Sequence, residues 1–259
     1  MGICASKRNS TDAVSKSMSQ EQAPAEQAVS TNNDAGQPQV FAIMRMGHEV
    51  IRDGVKELQS KLKSRDAEAA AKYWLDLSRW LDMHKLLEEG TGSNKTPKGF
   101  FRVLDDKFDK VATKEGLFDQ HQALDKVEAS MARASAKKNL AMMNGEVDLF
   151  AREMEDHLKK EEDVMMPKVQ QMKKDGASSK KIMRNEVLAL LWSKPDEEWD
   201  FFVTFACRTL AKRAMISPLR TFCQALWGVA TPAEWKKWSV TIQKAVSEEA
   251  WNQMQTCFV

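Results

Sequence analysis

Three of the four histidines in the chain are followed, four residues later, by a carboxylate. The pairs are His84 with Glu88, His121 with Asp125, and His157 with Glu161. In a helix, residues four apart lie on the same face, so each pair can point at a single spot. Imidazole nitrogens and carboxylate oxygens form metal sites inside helical bundles. Together with His48, the fourth histidine, these residues are a candidate ligand set for two metal ions.

The histidines and one of the glutamates occupy apolar faces of their helices. His48 lies within a run of apolar residues spaced alternately by three and four: Phe41, Met44, Ile51, Val55, Leu58 and Leu62. Glu161 likewise follows Phe150 and Met154 in helical register. A buried, unpaired carboxylate costs several kcal/mol, and metal coordination is one usual remedy. The alternative is four core histidines that neighbouring acids satisfy without any metal.

Four amphipathic helices must bring these residues together. The apolar spacing predicts helices over about 41–64, 66–90, 117–134 and 138–166, and Pro167 is expected to end the last. A short helix beginning near Thr96 precedes the third. Because the connections are short, the prediction is an all-α fold in which residues 39–172 form an up-down-up-down four-helix bundle.

Residues 173–259, here called the C-terminal extension, contain no histidine and many tryptophan and phenylalanine residues. The run Thr231-Pro232-Ala233-Glu234 predicts a helix start with a capping box and a proline in the first turn. We expect three or four helices that pack on the bundle or on one another. Aromatic residues at helical spacing are typical of a core, and the alternative is a surface for a protein partner.

The first 38 residues predict a disordered, acylated tether because they contain almost no large apolar side chains. Gly2 after the initial methionine, with Ser6 four positions on, matches the N-myristoylation pattern, and Cys4 is a candidate for palmitoylation. Stable anchoring takes two such signals, which this segment offers. In a eukaryotic cell the pattern predicts a cytoplasmic protein anchored to the cytoplasmic face of a membrane.

Composition excludes several other classes of protein. The 39 basic and 37 acidic residues are interspersed, so no nucleic-acid partner is expected. No apolar run is long enough to span a membrane. The four cysteines form neither a CxxC motif nor a disulfide framework, which favours a reducing compartment.

Residues 40–170 resemble a hemerythrin-like (HHE cation-binding) domain. The matching features are His48-Glu49, His84-x3-Glu88, His121-x3-Asp125, and His157-x3-Glu161-Glu162 running on to Met166-Pro167, where the family has Phe-Pro. The C-terminal extension resembles, more weakly, the segment after the hemerythrin-like repeats of plant and algal iron-sensing ubiquitin ligases. This chain lacks the Cys/His clusters of a RING, so ubiquitin transfer is excluded.

The resemblance implies two iron ions joined by an oxo or hydroxo bridge. Glu88 and Glu161 would bridge them, and the four histidines would be terminal ligands. Asp125 stands where oxygen carriers have histidine and the iron-sensing branch has a carboxylate. Bound through one oxygen, Asp125 leaves one iron position open to O2 or peroxide; bound through both, it closes the site. Zinc or manganese is the alternative cofactor.

The expected function is non-enzymatic: sensing or buffering of iron or oxygen at a membrane surface, with the C-terminal extension reporting the metal state to a partner. The alternative is a di-iron oxidase or peroxidase. The sequence offers no spare acid or base near the predicted ligands, and Tyr73 lies about three turns from His84. No catalytic residue is therefore predicted.

Overall fold

The computed structural model describes residues 41–92, 97–173 and 177–258, and within these ranges all regular structure is helical. The prediction of an all-α fold is therefore confirmed. The predicted tether, with Gly2 and Cys4, lies outside the described residues. No helix in the described ranges is long and apolar enough to cross a membrane.

The helices follow one another with short connections. In chain order they are α1 (Ala42–Lys63), α2 (Ala67–Glu89), α3 (Phe100–Lys107), α4 (Val111–Lys114), α5 (Leu117–Ala136), α6 (Leu140–Lys173), α7 (Ala177–Ile182), a π-helical segment (Met183–Leu188), α8 (Ala189–Trp192), α9 (Asp196–Leu210), α10 (Ser217–Val229), α11 (Pro232–Ala245) and α12 (Glu248–Gln255). The C-terminal extension is thus divided into more pieces than the three or four helices expected. Its capping box at Thr231 and Glu234 is present.

Both ends of α2 are specified by local chemistry. The Asp66 side chain accepts a hydrogen bond from the backbone N–H of Ala69 and caps the first turn. At the other end Gly90 has a φ of 74°, and a Cβ there would lie 2.0 Å from the carbonyl oxygen of Lys98. Only glycine allows this close approach of backbone to backbone. The contact ends α2 directly after Glu88 and Glu89.

The prediction that Pro167 ends the fourth helix is wrong, because α6 continues through it to Lys173. A proline inside a helix removes one backbone hydrogen bond and crowds the preceding turn. Burial of residues after Pro167 offsets that cost. Val169 and Met172 are 5% and 3% exposed, and they continue the buried face of α6 that includes Met165. Tertiary packing of the apolar face here outweighs the local preference.

The four histidine-bearing helices contact one another in a closed order: α1 with α2, α2 with α5, α5 with α6, and α6 with α1. The C-terminal extension packs through α8, α9 and α10 against α1 and α2. All described residues from Phe41 onward belong to one compact unit. The four histidines are buried together at the centre of these four helices.

Candidate metal centre

Six of the seven predicted metal ligands are buried together. The exposed fraction is at most 5% for every one of them: His48, His84, Glu88, His121, His157 and Glu161. They form two overlapping groups of four, and within each group one donor atom per residue lies within 4.8 Å of all the others. Glu88 and Glu161 belong to both groups. The arrangement has the donor types and spacing of a site for two metal ions.

The first metal position is the group of His48, His84, Glu88 and Glu161. His84 Nε2 is 3.0 Å from Glu88 Oε1, and His48 Nε2 is 3.2 Å from Glu161 Oε2. His48 Nε2 also lies 3.6 Å from Glu88 Oε1. Two imidazoles and one oxygen from each glutamate therefore surround this position.

The second metal position is the group of Glu88, His121, His157 and Glu161. His157 Nε2 is 3.0 Å from Glu161 Oε1, and His121 Nε2 is 3.5 Å from Glu88 Oε2. The Nε2 atoms of His121 and His157 face each other at 2.9 Å. Each glutamate thus turns one oxygen toward the first position and the other oxygen toward the second, which is the placement that a bridging carboxylate requires.

Six of the inward-facing atoms lack hydrogen-bond partners. Both carboxylate oxygens of Glu88 and of Glu161 are buried without one, and so is Nε2 of His48 and of His84. These groups approach one another within ion-pair distance but without hydrogen-bond geometry. A buried polar atom with no partner loses free energy relative to water. Metal ions between these atoms would satisfy them, so the residues present fit such ions.

In the metal-free protein, the buried cluster holds protons on its imidazoles. Burial alone would lower the pKa of His121, but the neighbouring Glu161, Glu88 and Glu89 raise it to about 11. Burial would raise the pKa of Glu88, but His84, His121 and His48 hold it well below its ordinary value. The carboxylates are therefore ionised and at least one imidazole is cationic. Because a metal needs the neutral imidazole, metal binding must release protons.

The outward-facing nitrogens of three histidines are held by neighbouring side chains. His48 Nδ1 donates to Glu162 at 3.0 Å and His121 Nδ1 donates to Glu89 at 2.6 Å. His157 Nδ1 lies 3.3 Å from the Gln120 side-chain oxygen. Such contacts turn Nε2 toward the centre and are typical of histidine metal ligands. Sequence reasoning missed these partners, although Glu89 and Glu162 directly follow the two shared glutamates.

Backbone and ring packing fix the orientation of His84. A Cβ on Gly47 of α1 would lie 2.9 Å from His84 Cε1, so the absence of a side chain there makes room for the imidazole. The imidazole also stacks on Trp80, with centroids 5.4 Å apart. His84 thus packs against both α1 and the indole one turn earlier on its own helix.

Asp125, the seventh predicted ligand, lies outside both groups. Its side chain is 52% exposed, and its Oδ1 accepts a hydrogen bond from Lys85 Nζ at 2.6 Å. Four-residue spacing gives Asp125 the same helix face as His121, but the carboxylate turns toward solvent, where α2 supplies a cation. Its role as a metal ligand stays a prediction.

A cavity of about 20 Å³ lies beside the buried cluster and is lined by Asp125 and by residues of both metal positions. This volume holds one water-sized molecule. Its lining includes His84, Glu88, His121, Leu124, Asp125, Glu128, Met154 and His157. The cavity gives a small molecule a place beside three of the metal-facing histidines.

Glu128 corrects the expectation that no spare acid or base lies near the ligands. It lines the cavity, and burial, followed by the charges of Asp82 and Asp125, raises its pKa to about 7. The signal in the sequence was its position seven residues after His121, which is the same helix face. Tyr73 lies elsewhere, in a separate cleft that it shares with Asp53 and Arg213.

Comparison with protein-family models, with curated proteins and with solved structures finds no match to this chain.

Proposed function

We propose that α1, α2, α5 and α6 form a hemerythrin-like up-down-up-down four-helix bundle that holds two iron ions. The observation that carries the proposal is the placement of the two shared glutamates. Each has one oxygen among the histidines of the first position and one among those of the second. His48, His84, His121 and His157 would be the terminal ligands. Two ions in these positions would supply one-electron redox chemistry and a coordination site for O2 or peroxide.

The donor set supports iron without excluding other metals. Four imidazoles and two carboxylates offer nitrogen and oxygen ligands, which suit iron, and also zinc or manganese. The unpartnered oxygens of Glu88 and Glu161 would be satisfied by any cation of this kind. Iron is proposed because of the hemerythrin-like pattern of these residues, and zinc or manganese is the alternative cofactor.

The role that we propose is sensing or buffering of iron or oxygen at the cytoplasmic face of a membrane. A ligand that binds only the folded state stabilises that state, so metal occupancy would be reported as a change in folding stability. Six buried ionisable residues make this dependence large. Lipidation at Gly2 and Cys4 would provide the anchor, and the C-terminal extension would face a protein partner.

A second candidate, a di-iron oxidase or peroxidase, is favoured by Glu128. A carboxylic acid with a pKa near 7 beside a cavity at the ligands can take up or release a proton at neutral pH. The test is catalytic turnover of hydrogen peroxide by the iron-loaded protein. Turnover that is lowered in Glu128→Gln but not in Glu153→Gln, a half-exposed position of α6, would establish this activity. Absence of turnover would leave the sensing or buffering role.

The proposed metal centre is tested by metal analysis of protein from iron-replete cells, purified without chelator. We expect about two irons per chain, with near-ultraviolet absorption that bleaches on reduction. Glu161→Gln keeps the side-chain volume but removes the shared charge, and it should retain fewer ions. Glu153→Gln, two turns earlier on the same helix and 45% exposed, is the control. Two irons retained in Glu161→Gln would contradict the bridging role.

A further inference from the structure

The two metal positions differ in what supports their histidines from outside. For the second position, His121 Nδ1 donates to Glu89 of α2, and the ring stacks on Phe101 of α3 at 5.3 Å between centroids. His157 Nδ1 is held by Gln120 of α5. All three supporting residues belong to helices that precede α6. The extension touches α3 through the backbone, where the N–H of Gly99 donates to the carbonyl of Glu186. The side-chain supports of the first position, by contrast, lead into the extension itself.

The support of His84 runs through stacked rings. Trp80 lies between His84 and Phe202, with centroids 5.4 Å from the imidazole and 5.1 Å from the phenyl ring. Its planes are tilted by only 15° and 4° from those two rings. Trp80 Nε1 also donates to the backbone carbonyl of Phe202 at 3.2 Å. Phe202 lies on α9, so the extension fixes the indole against which the imidazole packs.

The support of His48 runs through alternating charges. His48 Nδ1 donates to Glu162, which accepts a hydrogen bond from Arg52 at 2.7 Å. Arg52 also donates to Glu49, and Glu49 accepts a hydrogen bond from Arg213 at 2.6 Å. Arg213, in the segment after α9, pairs with Asp53 of α1 as well. A continuous chain of hydrogen bonds therefore joins the extension to the second histidine of the first position.

We propose that Arg213 and Phe202 of the C-terminal extension position His48 and His84, and that these two residues set the metal affinity of the first position and not that of the second. The inference rests on the proposed two-metal site. Outer partners of metal-bound histidines typically change affinity by about 10- to 100-fold. Because binding coupling is reciprocal, a metal ion in the first position strengthens the contact between α9 and α2. The contacts of Arg213 and Phe202 therefore respond to the ion in the first position and not to the ion in the second.

The test separates the two positions with ligand variants and uses Zn²⁺ alone as the probe. His121→Ala weakens the second position and leaves the first; His84→Ala does the reverse. Arg213→Ala is added to each background, and zinc affinity is measured by calorimetric titration. We expect Arg213→Ala to weaken zinc binding about 10- to 100-fold in the His121→Ala background and to leave it unchanged in the His84→Ala background.

Arg184→Ala is the matched control. Like Arg213, Arg184 donates two side-chain hydrogen bonds to carboxylate, but both go to Glu234 within the extension. Its side chain is 27% exposed, against 26% for Arg213. Arg184→Ala should leave zinc affinity unchanged in both the His121→Ala and the His84→Ala backgrounds. Phe202→Leu, made in the same two backgrounds, tests the support of His84 through the stacked Trp80 ring. It provides a second test of the inference that does not involve Arg213. Circular dichroism verifies that each variant is helical.

A second measurement does not depend on affinity. Backbone amide exchange in α9 should slow when Zn²⁺ is added to the His121→Ala variant and stay unchanged in the His84→Ala variant. Equal losses of affinity in both backgrounds, or none in either, would overturn the inference. A wild-type chain that binds no metal would instead overturn the proposed function, and the inference with it.

Discussion

The four histidine-bearing helices and the C-terminal extension both have packed interiors, but the interiors are built from different types of residue. The extension fills its core with apolar side chains such as Trp199, Phe202, Phe222 and Leu226, and Thr209 is the only buried polar residue among its described positions. The histidine-bearing helices instead bury six ionisable side chains in a single cluster.

Burying charges is costly, and apolar residues of similar volume often stabilise a fold better. The extension demonstrates that this chain can build an apolar helical core. The six ionisable residues are therefore better explained by a ligand than by folding.

Metal removal should destabilise the histidine-bearing helices strongly. Each bound ion stabilises the folded state by about 4 kcal/mol when its free concentration is about 1,000 times the Kd. Urea unfolding of the iron-loaded and chelator-treated protein measures the difference, and amide exchange assigns it to helices. Exchange should rise most in α1, α2, α5 and α6. Equal unfolding midpoints with and without metal would mean that the buried ionisable residues do not need a metal ion for their stability, and would contradict the proposed difference between the two interiors.

The stability of the metal-free protein should fall as pH rises above about 6.5. The pKa of His121 is raised to about 11 and that of His48 is also raised, so both imidazoles bind protons more tightly in the folded state. Their contribution is complete below the unfolded pKa of about 6.5 and is lost as pH approaches the folded value. Below about pH 4.5 the lowered pKa values of Glu88 and Glu161 act in the opposite sense.

This pH dependence is measured by urea unfolding at pH 6 and pH 9 in the presence of chelator, with the free energy of unfolding expected to be lower at pH 9. Saturating Zn²⁺ should reduce or reverse the trend, because metal replaces the protons. A metal-free protein that is more stable at pH 9 would mean that the cluster does not hold cationic histidines.

Gly47→Ala should weaken the first metal position by crowding His84. The new Cβ would meet the imidazole at 2.9 Å, and an overpacked core costs about 1–3 kcal/mol. We expect roughly a tenfold loss of zinc affinity in the His121→Ala background. Gly54→Ala is the control on the same helix, since its Cβ would meet a methyl of Leu77 at 2.7 Å and no ligand. Equal metal affinities for the two variants would exclude this role of Gly47.

Asp125→Asn should have the smallest effect. The pair between Asp125 and Lys85 is partly exposed, and exposed ion pairs contribute about 0–1 kcal/mol. Metal content should stay at two ions per chain. Loss of an ion from Asp125→Asn, with none from Lys85→Met, would show that the carboxylate turns inward in the metal-bound protein.

The sequence predicted what depends on position along a single helix. Apolar spacing placed the four histidines and Glu161 in the core, and Asp66 and Gly90 bounded α2 correctly. Helical spacing, however, predicts only which face of a helix carries a residue, and not the direction in which its side chain points. Asp125 shares a face with His121 but turns to Lys85, a partner 40 residues away in the sequence.

Contacts between distant helices account for the remaining differences. The pairing of Arg213 with Glu49 spans 164 residues, and no local pattern predicts it. Pro167 is a strong local signal for a helix end, yet buried residues beyond it carry α6 onward. Glu128 was overlooked because its acidity depends on burial and on Asp82 of another helix.

The most direct test of the central claim is a crystal structure of the iron-loaded protein with anomalous scattering recorded on both sides of the iron absorption edge. We expect two anomalous peaks: one among His48, His84, Glu88 and Glu161, and one among Glu88, His121, His157 and Glu161. Each of the two glutamates should contact both peaks. A single peak, or two peaks that share neither glutamate, would contradict the proposed two-metal centre.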